Sequence, residues 1–229
     1  MTFVRPLGAV LTAALFAAPA LAEFQLREVR ADAKGKVLAE RTLVVSGNRF
    51  RIDEGDAGFI ADVGAGKVVW LDHKAKLWRE TPLAPRNARD RAAMDPQSAA
   101  WQSRWRTLSS DLQGDARLRV VITNETKKIA GVAATRSDVF LGNRKVRERW
   151  NAESLPTDEV SAITFKLVEL NPSLLQERYF QEVQATAHLG YPVLIRDLVQ
   201  DAVVEVKEIR KGPIPAAVFA APPGYRRSE

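Results

Sequence analysis

Three groups of residues in this sequence have the types that phosphate, calcium or nucleophilic chemistry needs, and their spacing decides against each. Gly64-Ala65-Gly66-Lys67 has the glycines and lysine of a phosphate loop. It lacks the first glycine of the GxxxxGK[ST] pattern, however, and Val68 stands where a magnesium-binding hydroxyl would be. Asp53, Asp56 and Asp62 lie near glycines, as calcium-loop acids do, but their spacing departs from the EF-hand pattern and no glutamate closes it. They read as exposed turn acids. His73 and His188 are the only histidines, each without a nearby His, Cys or HExxH partner, so neither a zinc site nor a Ser-His relay is legible. Both are expected at the surface. With no paired nucleophile and base, the chain reads as a non-enzyme, and no cofactor or metal is implied.

The first residues bear on location. Met1 to Ala22 combine one cation, Arg5, with an apolar run from Leu7 to Ala18 and the small-x-small sequence Ala20-Leu21-Ala22 ahead of Glu23. That is the pattern of a cleaved secretory signal peptide, and its apolar run is short of the ~20 residues of a spanning helix. The expected mature chain, residues 23–229, is one periplasmic domain and a monomer. The absence of cysteine leaves it with neither disulfides nor a lipid-bearing thiol. Loss of Arg5 takes the formal charge from +6 to +5. The basic residues gather at Arg86 to Arg106, at Arg144, Lys145, Arg147 and Arg149, and at Arg226 and Arg227. Solvated faces are the simplest reading of them. Nucleic acid is a poor partner for an exported chain, which leaves peripheral contact with anionic membrane or an acidic envelope protein.

The elements that must position any site are mostly strands. From Phe24 to Thr81 short alternating runs, separated by turn signals at Gly35, Ser46-Gly47-Asn48, Asp56-Ala57-Gly58, Gly64-Ala65-Gly66 and His73-Lys74-Ala75, predict a β-meander. Strands resume at Leu118 to Thr123, cross a polar turn at Asn124 to Lys128, and continue through Thr135 to Leu141 and Lys145 to Trp150. In that last strand Val146 and Trp150 are expected on one face and Arg147 and Arg149 on the other. A closing hairpin follows, with Val193 and Ile195 in one strand, Val204 and Val206 in the next, and the reversal at Asp197 to Asp201. The Pro- and Gly-rich residues beyond it predict an irregular tail anchored by Ile214, Val218, Phe219 and Tyr225.

Helical spacing appears in two places. Asp95-Pro96 is a start signal, after which Trp101, Trp105, Leu108 and Leu112 form one apolar stripe ending before Gly114. Later, Val160, Ile163, Leu167 and Leu170 precede Asn171-Pro172, which restarts a helix carrying Leu175, Tyr179, Val183 and Ala187 up to Gly190. The sum is an α+β domain of roughly ten to twelve antiparallel strands around these helices.

In order along the chain, Phe50-Arg51-Ile52, Val69-Trp70-Leu71-Asp72 with Leu77-Trp78, Lys128-Ile129-Ala130-Gly131, Gly190-Tyr191-Pro192-Val193, and the ending Val204 to Phe219 followed by Pro223-Gly224-Tyr225 carry a resemblance. The chain resembles a bacterial family of exported domains related to the outer-membrane lipoprotein carrier LolA. The resemblance implies a curved antiparallel sheet, an incomplete β-barrel, with helices covering its concave face and an apolar cavity between. It implies no enzymatic activity, and no carrier-specific functional residue maps onto this chain.

Two functions of different class are consistent with that reading. One is a carrier or sensor holding a lipid or acylated protein, its cavity lined by Phe50, Ile52, Trp70, Trp78, Trp101, Trp105, Leu108 and Tyr179. Moving ~14 methylenes out of water yields roughly 11 kcal/mol gross, so such a site needs no special polar group. The other is an envelope interaction module with a packed interior, docking a partner by a sheet edge or a basic face.

Overall fold

The computed structural model describes residues 23–82, 117–155, 157, 182 and 184–228. Six strands come first: β1 (Glu23–Asp32), β2 (Val37–Ser46), β3 (Arg49–Glu54), β4 (Ala57–Asp62), β5 (Lys67–Asp72) and β6 (Leu77–Pro82). They are followed by β7 (Leu118–Ile129), β8 (Val132–Leu141), β9 (Arg144–Ala152), β10 (Tyr191–Asp197), β11 (Ala202–Lys211) and the short β12 (Arg226–Arg227). All twelve belong to one sheet in the order β12-β6-β5-β4-β3-β2-β1-β11-β10-β9-β8-β7. The closing hairpin β10–β11 therefore seals two meanders together along β1, pairing Phe24 with Lys211. The helical stripes at residues 96–113 and 160–179, and the signal segment 1–22, lie outside the described residues. The end of the later helix is described: Glu182 and Gln184 to Thr186 are helical, a 3-10 turn spans Ala187–Leu189, and Gly190 terminates it as its position predicts.

Three expectations about the strands need correction. The sheet is mixed, because β12 runs parallel to β6; the tail crosses back over the sheet, and the backbone amides of Arg226 and Ser228 donate to the carbonyls of Lys76 and Trp78. The polar residues Asn124 to Lys128 are no turn. They continue β7, whose pairing with β8 is merely interrupted between Ile122 and Thr126. Finally, Val146 does not join Trp150. A register shift between Val139 and Phe140 moves Val146 into a cluster with Val139 and Leu141, while Trp150 packs with a separate group and Lys145 swings to the face of Glu148.

The outer face carries the tail. Phe219 and Ala221 pack on Ile60, Val69 and Leu71 together with Trp78, and the Arg51 guanidinium donates to the Val218 carbonyl at 2.8 Å. His73 is not a free surface residue. Its Nδ1 lies 2.8 Å from the Tyr225 hydroxyl, and its Nε2 lies 2.8 Å from Asp53 Oδ1, off the hydrogen-bonding direction, as an electrostatic contact. Asp53 in turn accepts from Arg51 and so is not a free turn acid. His188 is exposed, as expected, and Asp62 accepts from the Ala65 amide as a turn acid, though it is half-buried rather than exposed.

The outer face of β8 and β9 holds a second charged group. Arg136 donates to Asp138 at 2.9 Å and Lys145 lies 2.8 Å from the same carboxylate, while Glu148 accepts from the Trp150 indole and Lys145. Burial pushes both carboxyls up, but the Arg136 and Lys145 bonds to Asp138, and the Trp150, Arg136 and Lys145 contacts to Glu148, more than reverse it and hold both below the ordinary range. Their folded-state values lie under the unfolded ones, so this network adds stability above about pH 4.5 and loses it as pH falls through the folded values. In urea titrations, the stability gap between the native chain and Arg136→Ala should be constant from about pH 7 to 5 and shrink below about pH 4.5. A gap independent of pH would rule out charge as its source.

Candidate functional site: the concave face

Alternation along β1 places Phe24, Leu26, Glu28 and Arg30 on one face, and cross-strand register carries that face outward. Val45, Leu43, Arg41 and Ala39 stand opposite them on β2. On β3 the corresponding residues are Phe50, Ile52 and Glu54; Phe59 on β4 lies opposite Ile52, and Trp70 on β5 opposite Phe59. One sheet face is thus apolar at one end and charged at the other. Glu54 on β3 and Arg147 on β9 are five strand spacings apart, roughly 24 Å on a flat sheet at ~4.8 Å per strand. They nevertheless line one cavity of about 240 Å³, so the sheet curls around this face and the face is concave.

The apolar end is an aromatic row. Phe50 and Phe59 have ring centroids 5.7 Å apart, and Phe59 and Trp70 5.8 Å, both in tilted contact. Phe50 is buried, whereas Ile52, Phe59 and Trp70 are half-buried against the core of Phe24, Leu26, Leu43, Val45 and Val68. The Trp70 indole donates to Thr81 Oγ1 at 2.9 Å, which fixes its ring. Of the residues expected to line a cavity, Phe50, Ile52 and Trp70 do share the concave face. Trp78 does not. It pairs with Leu71, on the outer face, where Arg227 lies over its ring at 5.2 Å. Trp101, Trp105, Leu108 and Tyr179 lie outside the described residues.

The charged end was missed by sequence reasoning. Arg147 Nη1 donates to Glu182 Oε2 at 2.5 Å and Arg149 Nη1 to Glu182 Oε1 at 2.8 Å, so a single carboxylate bridges two guanidiniums. Arg147 also donates to Asp197 at 2.9 Å. The side chains of Arg147, Arg149 and Glu182 are only 6%, 5% and 3% exposed, so these arginines are not the solvated cations their sequence suggests. Burial pushes the Glu182 carboxyl up, but the two guanidiniums outweigh it and hold the group below the ordinary carboxylate range. Burial likewise disfavours the Arg147 cation, and Glu182 and Asp197 more than restore it.

Beside this cluster, Glu28 is buried and accepts from Arg41 and, at 2.8 Å, from the Tyr191 hydroxyl. The signal for Glu28 was present in the sequence: it continues the buried phase of Phe24 and Leu26. Among the described residues no group of three or more His, Cys, Asp or Glu is arranged to hold a metal ion, and no helix is long and apolar enough to cross a membrane.

No protein-family model and no curated protein matches this chain. Among solved structures it is similar to MucB, with 13% identity over 90% of this chain and 59% of that one, at a TM-score of 0.41. It is similar also to the MucA/MucB complex of Pseudomonas aeruginosa, with 14% identity over 89% of this chain and 57% of that one, at 0.42. PNGF-II is similar at 11% identity and a TM-score of 0.41, with 90% of this chain covered and 32% of that one. This chain therefore spans about a third of the length of PNGF-II and less than two thirds of MucB.

Proposed function

We propose that this chain is a non-enzymatic periplasmic carrier or sensor that holds the acyl chain of a lipid or acylated protein against the concave face of its sheet. The observation that carries the reading is the row of Ile52, Phe59 and Trp70 beside the buried Phe50, apolar surface left half-buried on the inside of a curved sheet. An acyl chain gains affinity there through area alone. Native mass spectrometry of protein purified from the periplasm without detergent tests this. A co-purifying lipid mass is expected, reduced at least about fivefold in a folded Trp70→Ser variant. An empty protein, or a lipid load that Trp70→Ser leaves unchanged, overturns it.

The strand β7 favours a second reading, an envelope interaction module. Among the described residues it pairs on one side only, with β8, and Ile122 on it is 48% exposed. A partner strand would add to that edge by backbone hydrogen bonds.

A further inference from the structure

The charged end of the concave face encloses a partly open cavity of about 240 Å³, bounded by Glu28, Arg30, Arg41, Glu54, Asp197 and Gln200. Its space comes from small side chains: Ala39 stands opposite Arg30 on β2, and Ala202 opposite Asp32 on β11. Hydrogen bonding divides its polar groups into occupied and unoccupied. Both Glu28 oxygens are engaged, by Arg41 and Tyr191. Asp197 is engaged as well, Oδ2 by Arg147 and Oδ1 by the backbone amides of Val199 and Gln200. Arg30 differs. Its Nη2 donates to the neutral side-chain oxygen of Gln200 at 2.9 Å, and among the described residues it meets no carboxylate. The Gln200 Nε2 is buried without an acceptor, and Glu54 meets no cation among the described residues. Among the described residues the cavity thus offers unused donors on β1 and the β10–β11 turn, and an unused carboxylate on β3.

We propose that this cavity binds a phosphate ester that carries its own ammonium group, the head of a zwitterionic amphiphile. The phosphate oxygens accept from Arg30 and Gln200 Nε2, which together replace the anion's water with fixed donors. The ammonium faces Glu54. Size agrees with a head group rather than a whole ligand, since complete ligand pockets occupy ~300–1,000 Å³. Position agrees as well. On β3 the concave-face residue next to Glu54 is Ile52, about 7 Å along the strand, and Ile52 opens the apolar row of Phe59 and Trp70. A molecule with its head in the cavity would lay its chain on that row. The inference rests on the acyl-binding reading above and adds the chemistry of the polar end.

Calorimetric titration of the folded chain with dihexanoyl lipids tests both separately. Dihexanoyl-phosphatidylethanolamine is expected to bind at least about fivefold tighter than dihexanoyl-phosphatidylglycerol or dihexanoylglycerol. Arg30→Gln should remove that advantage without changing the affinity for dihexanoylglycerol, and Glu54→Gln should abolish the preference over phosphatidylglycerol. Gln200→Glu, which sets a carboxylate beside Arg30, serves as a second variant of the anion site and should also lose the advantage. Equal affinity for the three lipids, unmoved by these variants, overturns the head-group site and leaves the acyl reading intact. Inorganic phosphate binding as tightly as the phospholipid would reduce the cavity to a free-anion site and overturn the amphiphile. Glycerophosphoethanolamine matching the full lipid would keep the cavity and sink the acyl reading. Binding of none of these probes overturns both.

Discussion

Replacing Glu182 with glutamine is expected to lower stability by about 3–5 kcal/mol, because it takes from the buried Arg149 the carboxylate it pairs with and from the buried Arg147 one of its two, Asp197 remaining. Arg147 and Arg149 are 6% and 5% exposed and cannot turn to water without opening the packing around them. For a chain of this length that loss corresponds to a fall in Tm of roughly 6–20 °C. The pH dependence has a definite sign. The Glu182 carboxyl is held below its ordinary value, so its contribution is present above about pH 4.5 and lost as pH falls through the folded value. The glutamine variant should lack that part of the acid sensitivity. The ions themselves are not indispensable: the triple change Glu182→Met, Arg147→Met, Arg149→Met should recover part of the loss, since buried ions and apolar groups of similar volume are often comparable, while Asp197, which loses Arg147, keeps the recovery incomplete. Urea denaturation followed by tryptophan fluorescence measures all three quantities. A loss under about 1 kcal/mol for Glu182→Gln would mean that the segment bearing Glu182 leaves the sheet in solution.

This cluster also shows where local sequence patterns stop informing. Strand bounds are legible where turn chemistry marks them: the signals at Gly64-Ala65-Gly66 and His73-Lys74-Ala75 bracket β5, and the reversal at Asp197 to Asp201 falls between β10 and β11. Alternation placed Phe50 and Ile52 on one face for the same reason. Arg147 and Arg149 defeated it because their partner is Glu182, more than thirty residues away, so two buried cations have the same local pattern as two solvated ones. Trp78 failed differently. Its face depends on how β5 pairs with β6, and Trp70 lies opposite Arg79, which sends the neighbouring Trp78 outward. The polar run Asn124 to Lys128 has the local pattern of a turn because β7, with its solvated positions, has no hydrophobic phase to reveal a strand there. Residues that read their environment from adjacent positions were predictable; those that read it from distant strands were not.

The junction that brings Glu182 to the sheet depends on Gly190, and Gly190→Ala is expected to cost at least about 3 kcal/mol. Gly190 closes the 3-10 turn at Ala187–Leu189 with φ 83° and ψ −169°, a region open essentially to glycine alone. A methyl there would also run into the Ala152 carbonyl and come within 2.7 Å of the Glu153 Cα, backbone atoms that have no rotamer by which to withdraw. The approach is close because the junction is stitched to β9. The Asn151 side-chain amide donates to the Gly190 carbonyl at 2.8 Å, and the Tyr191 amide donates to the Leu155 carbonyl at 2.9 Å. Moving this backbone would displace Tyr191, whose hydroxyl holds Glu28 on the concave face, and would pull the Glu182 carboxylate off its two arginines. The variant should therefore lose stability and cooperativity together, and whatever remains folded should lose head-group discrimination before it loses acyl affinity, because the aromatic row sits on β3 to β5, away from the junction. Thermal unfolding paired with lipid titration measures both, and a Gly190→Ala protein as stable as the parent would refute the close packing described at this turn.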